Sequence, residues 1–396
     1  MTTFKDFPLP EALQHKLDAL GFDKPTPVQE RAIPAALENR DILGSAQTGT
    51  GKTAAFSVPL LTKIMNHADV YGIIVTPTRE LALQVDEQIR AFLSAKSKIR
   101  SVVLIGGVSI ERQVQALGKK PKIIVGTPGR IIDHLERKSL DLSGFNYVVL
   151  DETDRMLDMG FSAPIAEIFS HVSGERQTLL FSATLPKNIQ KISAQYLQNP
   201  VRIETGQVNS VGDNIVQSTQ FVSKDGKFEM LVDALREHDQ SAIVFMNSKF
   251  ATEKMAKRLK SAGIIAEAIH GDLRQSRRER VISNLRDHKF RVLVATDVAA
   301  RGIDVPHIHQ VINFDLPRQT EDYIHRIGRT GRNGAQGIAL NLATRDDMEK
   351  LNEIERLINP NAAKPAYKRP AGKPARKKPQ AKGRWRSKKS NRARAA

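Results

Sequence analysis

Short apolar runs recur along the chain, separated by longer stretches of mixed polarity. The run Asp41-Ile42-Leu43-Gly44-Ser45 reads as a strand, and Ala54-Ala55-Phe56-Ser57-Val58 as the start of a buried helix. Between Tyr71 and Glu204 the pattern predicts strands at Ile73–Thr76, Val102–Ile105, Ile123–Gly126, Tyr147–Leu150, Thr178–Phe181 and Val201–Glu204. Several of these runs are apolar at every position, as strands covered on both faces must be. Strands separated by helices form parallel sheets with right-handed crossovers. Residues 206–214 are polar and contain glycine, and read as a linker. Alternation then resumes, with strands expected at Ile215–Val222, Ala242–Met246, Ile264–Ile269, Val292–Ala295, His309–Asn313 and Ile338–Asn341. The expected architecture is α/β: two tandem domains, 1–205 and 215–360, each a mostly parallel sheet flanked by helices. Ahead of the first strand, Leu9, Leu13, Leu17 and Leu20 mark one face of an amphipathic helix.

The 396 residues carry a formal charge of +18, unevenly spread. Residues 361–396 hold 14 Lys or Arg and no acid, leaving about +4 for the rest. With Pro365, Pro370, Pro374 and Pro379 interleaved, this tail cannot bury a core and is expected to be a disordered, basic segment. The absence of cysteine excludes disulfides, thiolate metal sites and a cysteine nucleophile. No apolar run approaches membrane-spanning length, and no signal-peptide core stands in the first thirty residues, so a cytoplasmic location is expected.

The chemistry centres on Ala46-Gln47-Thr48-Gly49-Thr50-Gly51-Lys52-Thr53, between a strand and a helix. Strand, glycine-rich loop, Gly-Lys-Thr and helix together form the phosphate cradle of nucleotide hydrolases. Curled backbone N–H groups and the positive helix end face one anion. Lys52 would reach the terminal phosphates, and the Thr53 hydroxyl would hold magnesium. Ala46 fills the usual first glycine position, which requires that its φ not be positive. Asp151-Glu152-Thr153-Asp154 follows a buried strand, at the rim where such folds bind ligands. There Asp151 would hold Mg²⁺ through water, and Glu152 would orient and deprotonate the attacking water. In the second half, His325-Arg326-Ile327-Gly328-Arg329-Thr330-Gly331-Arg332 repeats arginine every third residue, with Gly328 and Gly331 expected to interrupt a helix. Arg329 and Arg332 are candidates for the arginine finger that a phosphate loop needs. Thr26 and Gln29 read two ways: as a capping box with Pro27 at the first helical position, and as a carboxamide for the N6/N7 edge of adenine. Ser182-Ala183-Thr184 alone reads as a cap or turn. Pro77–Leu81, Gly106-Gly107 and Thr127–Arg130 lie at strand ends, where a phosphate backbone could pass.

Together these motifs resemble the DEAD-box family of RNA helicases, in the family's order over roughly residues 1–345. The match includes the Gly21–Gln29 stretch, with Phe4 upstream, and Ala295-Thr296-Asp297-Val298-Ala299-Ala300-Arg301-Gly302-Ile303-Asp304. The resemblance implies two RecA-like domains that hydrolyse ATP with Mg²⁺ and hold RNA, single-stranded or short duplex, across both. By it Phe4, Lys24 and Gln29 bind adenine, and Asp304, with Gly302, meets the ribose. Gln47, Thr48, Gly49, Thr50, Gly51, Lys52 and Thr53 hold the phosphates, with Asp151 and Glu152 for hydrolysis and Arg329 and Arg332 as fingers. Ser182, Thr184 and His325 couple the nucleotide to domain closure. RNA phosphates meet Thr78, Arg79, Gly107, Thr127, Gly129, Arg130, Gln275, Arg278 and Thr296, and the helix starting near Gly129 bends one strand. The basic tail is similar to those of bacterial members that work on structured or ribosomal RNA, with ribosome-assembly or RNA-decay proteins as the kind of partner implied. Thr153 replaces the family's Ala, and Val244–Ser248 matches the fourth motif loosely. Two alternatives stand beside this reading: a DNA translocase of the same architecture, and a passive RNA-binding or annealing protein with a degenerate ATP site.

Overall fold

The structure, a computed structural model, describes residues 2–46, 49–172, 174–185, 187–205, 214–300, 303, 305–332 and 335–359. The expectations for Gln47, Thr48, Gly302 and Asp304, for most of the linker, and for the tail lie outside these residues. Among the described residues thirteen strands form two sheets. The first contains β1 (Ile42–Ser45), β2 (Gly72–Val75), β3 (Ser101–Leu104), β4 (Ile123–Gly126), β5 (Tyr147–Leu150), β6 (Gln177–Ser182) and β7 (Val201–Glu204). The second contains β8 (Ile215–Phe221), β9 (Ser241–Phe245), β10 (Ala266–Ile269), β11 (Val292–Ala295), β12 (Ile308–Asn313) and β13 (Gly337–Ala343). Their orders are β3-β4-β2-β5-β6-β1-β7 and β10-β11-β9-β12-β13-β8, and every pairing is parallel.

Helices cover both faces of the inner strands, which is why these read as unbroken apolar runs, whereas β8 at the edge of the second sheet is largely exposed. Ile42 packs with Phe56 and Tyr147 on one face, while its neighbour Leu43 packs with Val148 and Met156 on the other. In the second sheet Ile243 and Phe245 face one core, and Ala242 and Val244 the other. Among the described residues no helix is long and apolar enough to cross a membrane.

Two local expectations change. β10 begins at Ala266 rather than Ile264. Gly263 takes a φ of +82°, and the Ile264 N–H returns to the Leu259 carbonyl at 2.9 Å, so Ile264 closes the preceding helix instead of opening the strand. The first amphipathic helix spans Glu11–Ala19 and buries Leu13 and Leu17, but Leu20 lies beyond its end and is exposed.

Strand order decides what shares the rim. In register, Ser45 of β1 sits opposite Ser182 of β6, and Leu150 of β5 opposite Leu180. The loops leaving β5, β6 and β1 are therefore the Asp-Glu-Thr-Asp turn, Ser182–Thr184 and the phosphate loop, side by side. The loops leaving β3, β4 and β2 carry Gly106-Gly107, Thr127–Arg130 and Thr78-Arg79. One half of the rim gathers the nucleotide motifs, and the other gathers the phosphate-backbone motifs.

Candidate active site and nucleic-acid interface

The phosphate loop is shaped by its glycines. Gly49 and Gly51 take φ of +85° and +89°, and Gly51 caps the helix Lys52–Asn66. A Cβ on Gly51 would lie 2.2 Å from Gln29 Nε2, so the position needs glycine for space as well as for φ. Ala46 avoids positive φ, as its side chain demands. Lys52 is 6% exposed, and its Nζ has no hydrogen-bond partner among the described residues. A buried ammonium left without an acceptor is costly. Anionic oxygens in the cradle would supply that acceptor.

Gln29 serves the loop directly. Its Oε1 accepts from the Thr26 N–H at 2.9 Å, which is the capping box, and its Nε2 donates to the Gly51 carbonyl at 3.0 Å. The Thr26 hydroxyl donates to the Thr50 carbonyl at 2.7 Å. The capping half of the double reading of Gln29 thus extends to the phosphate loop, and one Nε2 hydrogen remains beyond these bonds. Phe4 meets Phe7 and Phe22 edge-on and is 2% exposed, so base stacking requires it to present a face. Lys24 is exposed.

Asp151, Glu152, Thr153 and Asp154 are all buried. Burial pushes the Asp151 carboxyl up to about 6; the Lys52 charge pulls it down, and Glu152 pushes it up further. Asp151 Oδ1 accepts the Glu152 N–H at 2.9 Å, and Glu152 stands in the left-handed region at φ 50°. A non-glycine residue there stores strain of order 1–3 kcal/mol. Asp154 ties this turn to the next loop: its Oδ2 accepts from the N–H groups of Ala183 and Thr184, both at 3.1 Å, and from the Thr184 hydroxyl at 3.2 Å. The Ser182 hydroxyl donates to the Thr184 carbonyl at 2.6 Å. Thr53 is the second residue of the adjoining helix. Among the described residues no three His, Cys, Asp or Glu form a metal cage. Magnesium held by phosphate oxygens and water, with one carboxylate and a hydroxyl from the protein, needs none. The residues present therefore fit such an ion.

In the second half, the helix Asp322–Ile327 stops at Gly328, and Gly331 takes φ +69°, so the arginine repeat is broken as the glycines imply. The three arginines then do different things. Arg326 is an internal strut: it forks onto Asp297 at 2.5 and 2.7 Å and donates to Asn313 and the Asp315 carbonyl. Arg329 donates to the carbonyls of His325 and Ile303, and Arg332 to those of Gly328 and Ile303. Both expected fingers thus hang from one backbone oxygen. His325 lies on the same helix, half-buried.

A cleft of about 440 Å³ runs between the two sheets, lined by Thr78, Arg79, Thr127, Gly129, Arg130 and Arg278 among others. Burial, and then the charge of Arg278 and more weakly that of Arg130, pulls the Arg79 guanidinium below its usual range, with Glu80 opposing. A partly buried Arg79 whose charge is made costlier by two neighbouring guanidiniums marks a place for an anion. Gly106 and Gly107 let Arg79 lie on the backbone, where a Cβ at Gly107 would stand 2.4 Å from Nη1. Arg278 Nε donates to Glu80 Oε1 at 2.7 Å, with both side chains buried. Gln275 reaches the same carboxylate at 3.5 Å, and its own Oε1 is buried without a partner. Thr296 is half-buried at the end of β11.

The DEAD/DEAH box helicase family model matches residues 26–192, and the helicase conserved C-terminal domain matches 226–334. The DEAD-box ATP-dependent RNA helicase CshA of Geobacillus kaustophilus is 44% identical over 358 residues, covering 90% of this chain and 76% of that protein. The chain belongs to the DEAD-box ATP-dependent RNA helicases. Among solved structures, S. cerevisiae Dbp5 bound to RNA and ADP BeF3 matches this helicase with a TM-score of 0.82 at 31% identity, over 90% of this chain and 94% of that one. A DEAD box protein from the hyperthermophile Methanococcus jannaschii is 39% identical, over 91% of this chain and 98% of that one, yet its TM-score is 0.54. Structural likeness therefore runs against sequence likeness in this pair.

Four further residues meet around the site. Asp154 and Glu80 stood inside motifs without a role. Arg155 and Asp322 lie 167 residues apart and had no local signal, yet they form a buried ion pair between the helix Thr153–Asp158 and the helix Asp322–Ile327.

Proposed function

We propose that this helicase works as a two-part clamp whose halves complete the ATP site and the RNA cleft together. The observation that carries this reading is the Glu80–Arg278 pair: the helix Arg79–Phe92 of the first half and the helix Gln275–Arg286 of the second converge on one cleft. Likeness to a relative bound to RNA and a nucleotide analogue, over one more identical in sequence, supports the same arrangement.

In this reading Phe4, Lys24 and Gln29 hold adenine, Gly302 and Asp304 meet the ribose, and the loop Gln47–Thr53 holds the phosphates. Magnesium, when bound, neutralises charge on the phosphate oxygens. Thr53 and Asp151 hold it. Lys52 turns its ammonium to the phosphates. Glu152 orients the attacking water and takes its proton. Arg329 and Arg332 bring positive charge from the other half, a contribution of about 10³–10⁵ in rate in related chemistry. Ser182, Thr184 and His325 tie the turn at Asp151 to the position of the second half. RNA phosphates meet Thr78, Arg79, Gly107, Thr127, Gly129, Arg130, Gln275, Arg278 and Thr296, and the helix Pro128–Glu136 bends the strand. Displacing about five base-pair steps at ~1.4 kcal/mol each takes ~7 kcal/mol, so one closure suits short duplexes. ATP and RNA each favour the closed form and so raise each other's affinity.

The test is steady-state ATP hydrolysis with no nucleic acid, with single-stranded RNA and with matched DNA, beside Glu152→Gln. Stimulation by RNA alone, lost in the variant, is expected. Equal stimulation by DNA, or none by either, overturns the RNA clamp.

A further inference from the structure

We propose that Arg155 and Asp322 form a charge latch that docks the arginine-bearing helix onto the turn holding the catalytic carboxylates. The latch thereby sets how strongly ATP and RNA binding are coupled. This rests on the clamp reading above and names the contact that enforces it.

Arg155 lies three residues after Glu152 and is 1% exposed. One of its terminal nitrogens pairs with Asp322 Oδ1, and Asp158, on its own helix, stands 3.5 Å away. Asp322 is 6% exposed and opens the helix that ends just before Arg329. Asp322, His325 and Arg326 share one side of this helix at i, i+3 and i+4, and the turn after Gly328 brings Arg329 round to the same side. Asp322, His325, Arg326 and Arg329 accordingly line a single small cleft. Holding Asp322 therefore holds the segment that aims Arg329, while the other end of the pair is anchored beside Asp151 and Glu152.

A guanidinium cannot shed its proton, so burying it requires a partner. When the halves separate, water solvates both charges. When they meet, each charge is buried against the other. The pair acts on the joined form alone, and only such a differential contact shifts the equilibrium between forms. Arg155 Nε and one Nη have no hydrogen-bond partner among the described residues. Asp322 is thus the main acceptor, and removing it leaves a nearly unmatched buried charge, the costly case. Neither residue touches substrate in this scheme; both are positioning residues.

The experiment measures the affinity of full-length protein for a non-hydrolysable ATP analogue with and without single-stranded RNA. The ratio is the coupling factor. ADP affinity without RNA is measured alongside. In Asp322→Asn and Arg155→Met the coupling factor is expected to fall about tenfold, with ADP affinity unchanged. The double swap Arg155→Asp with Asp322→Arg is expected to return to within about threefold of wild type, while Arg155→Asp alone, facing Asp322 with like charge, is the weakest of the set. An unchanged coupling factor in the single variants overturns the latch, as does a fall accompanied by loss of ADP affinity. A swap no better than the single variants overturns the charge pairing. If the wild type itself shows no coupling, the clamp fails before the latch is in question.

Discussion

The Thr153 hydroxyl sits between the carbonyls of Leu150 at 3.3 Å and Phe181 at 3.1 Å, at the point where β5 and β6 hand over to their loops. The residue is fully buried, and all three carboxylates of its turn are retained. The side chain that departs from the family's tetrapeptide thus adds a tie between strand ends without touching the acids. Thr153→Val keeps the shape and removes the hydroxyl. It is expected to cost about 1 kcal/mol, a fall of a few degrees in melting temperature, with RNA-stimulated ATP hydrolysis retained. A variant as stable as wild type would show the tie to be idle. At this scale the sequence made the phosphate loop legible because its glycines have one use in that setting. It singled out Arg329 and Arg332 but gave no use for Arg326, because equal spacing says nothing about which guanidinium turns inward to Asp297.

The helix that begins with Lys52 is fastened at its far end by Lys63. That ammonium donates to Asn39 Oδ1 and Gln177 Oε1, each at 2.5 Å, while Gln177 Nε2 donates to the carbonyls of Ala36 and Arg40. Burial pulls Lys63 down to about 8. Its folded value lies below the ordinary 10.5, so the cost of keeping it charged is full below pH 8 and fades as pH rises toward 10.5. Relative to Lys63→Met, wild type is therefore expected to gain about 1 kcal/mol between pH 7 and 9.5, discounted for solvent near the group. Urea unfolding at the two pH values checks this, and a gap that narrows in the other direction refutes it. The strands were legible because buried β-branched runs have few other uses. Ile264 was misplaced because an apolar residue after glycine can as well close a helix as open a strand. The fastening by Lys63 was invisible, since its partners lie 24 and 114 residues away.

Over the whole chain, the excess charge is concentrated in residues 361–396, with 14 basic residues and no acid. If about ten of these engage RNA, log affinity falls against log salt with a slope near −7, about four decades between 50 and 200 mM. Deleting residues 361–396 is expected to flatten that slope and leave RNA-free ATP hydrolysis intact. An unaltered slope would remove the tail from RNA binding. Two α/β halves were readable from alternation alone. Pairs such as Glu80–Arg278 and Arg155–Asp322 were not, because they exist only between the halves and follow no spacing within either.

The segment that joins the two sheets ends on Asn214, whose side-chain amide donates to the carbonyls of Gly331 at 2.7 Å and Ala335 at 2.5 Å. A Cβ on Gly331 would press on Ile215 at 2.6 Å, so the fit leaves no slack. Asn214 thus bolts the start of the second half to the loop that carries Arg332. Lengthening the tether changes how often the halves meet by only about 0.6 kcal/mol per doubling. Loosening the bolt at Asn214 leaves the tether's reach alone and unsteadies the arginines it delivers. Reach and aim can be tuned separately, by different residues of one short stretch.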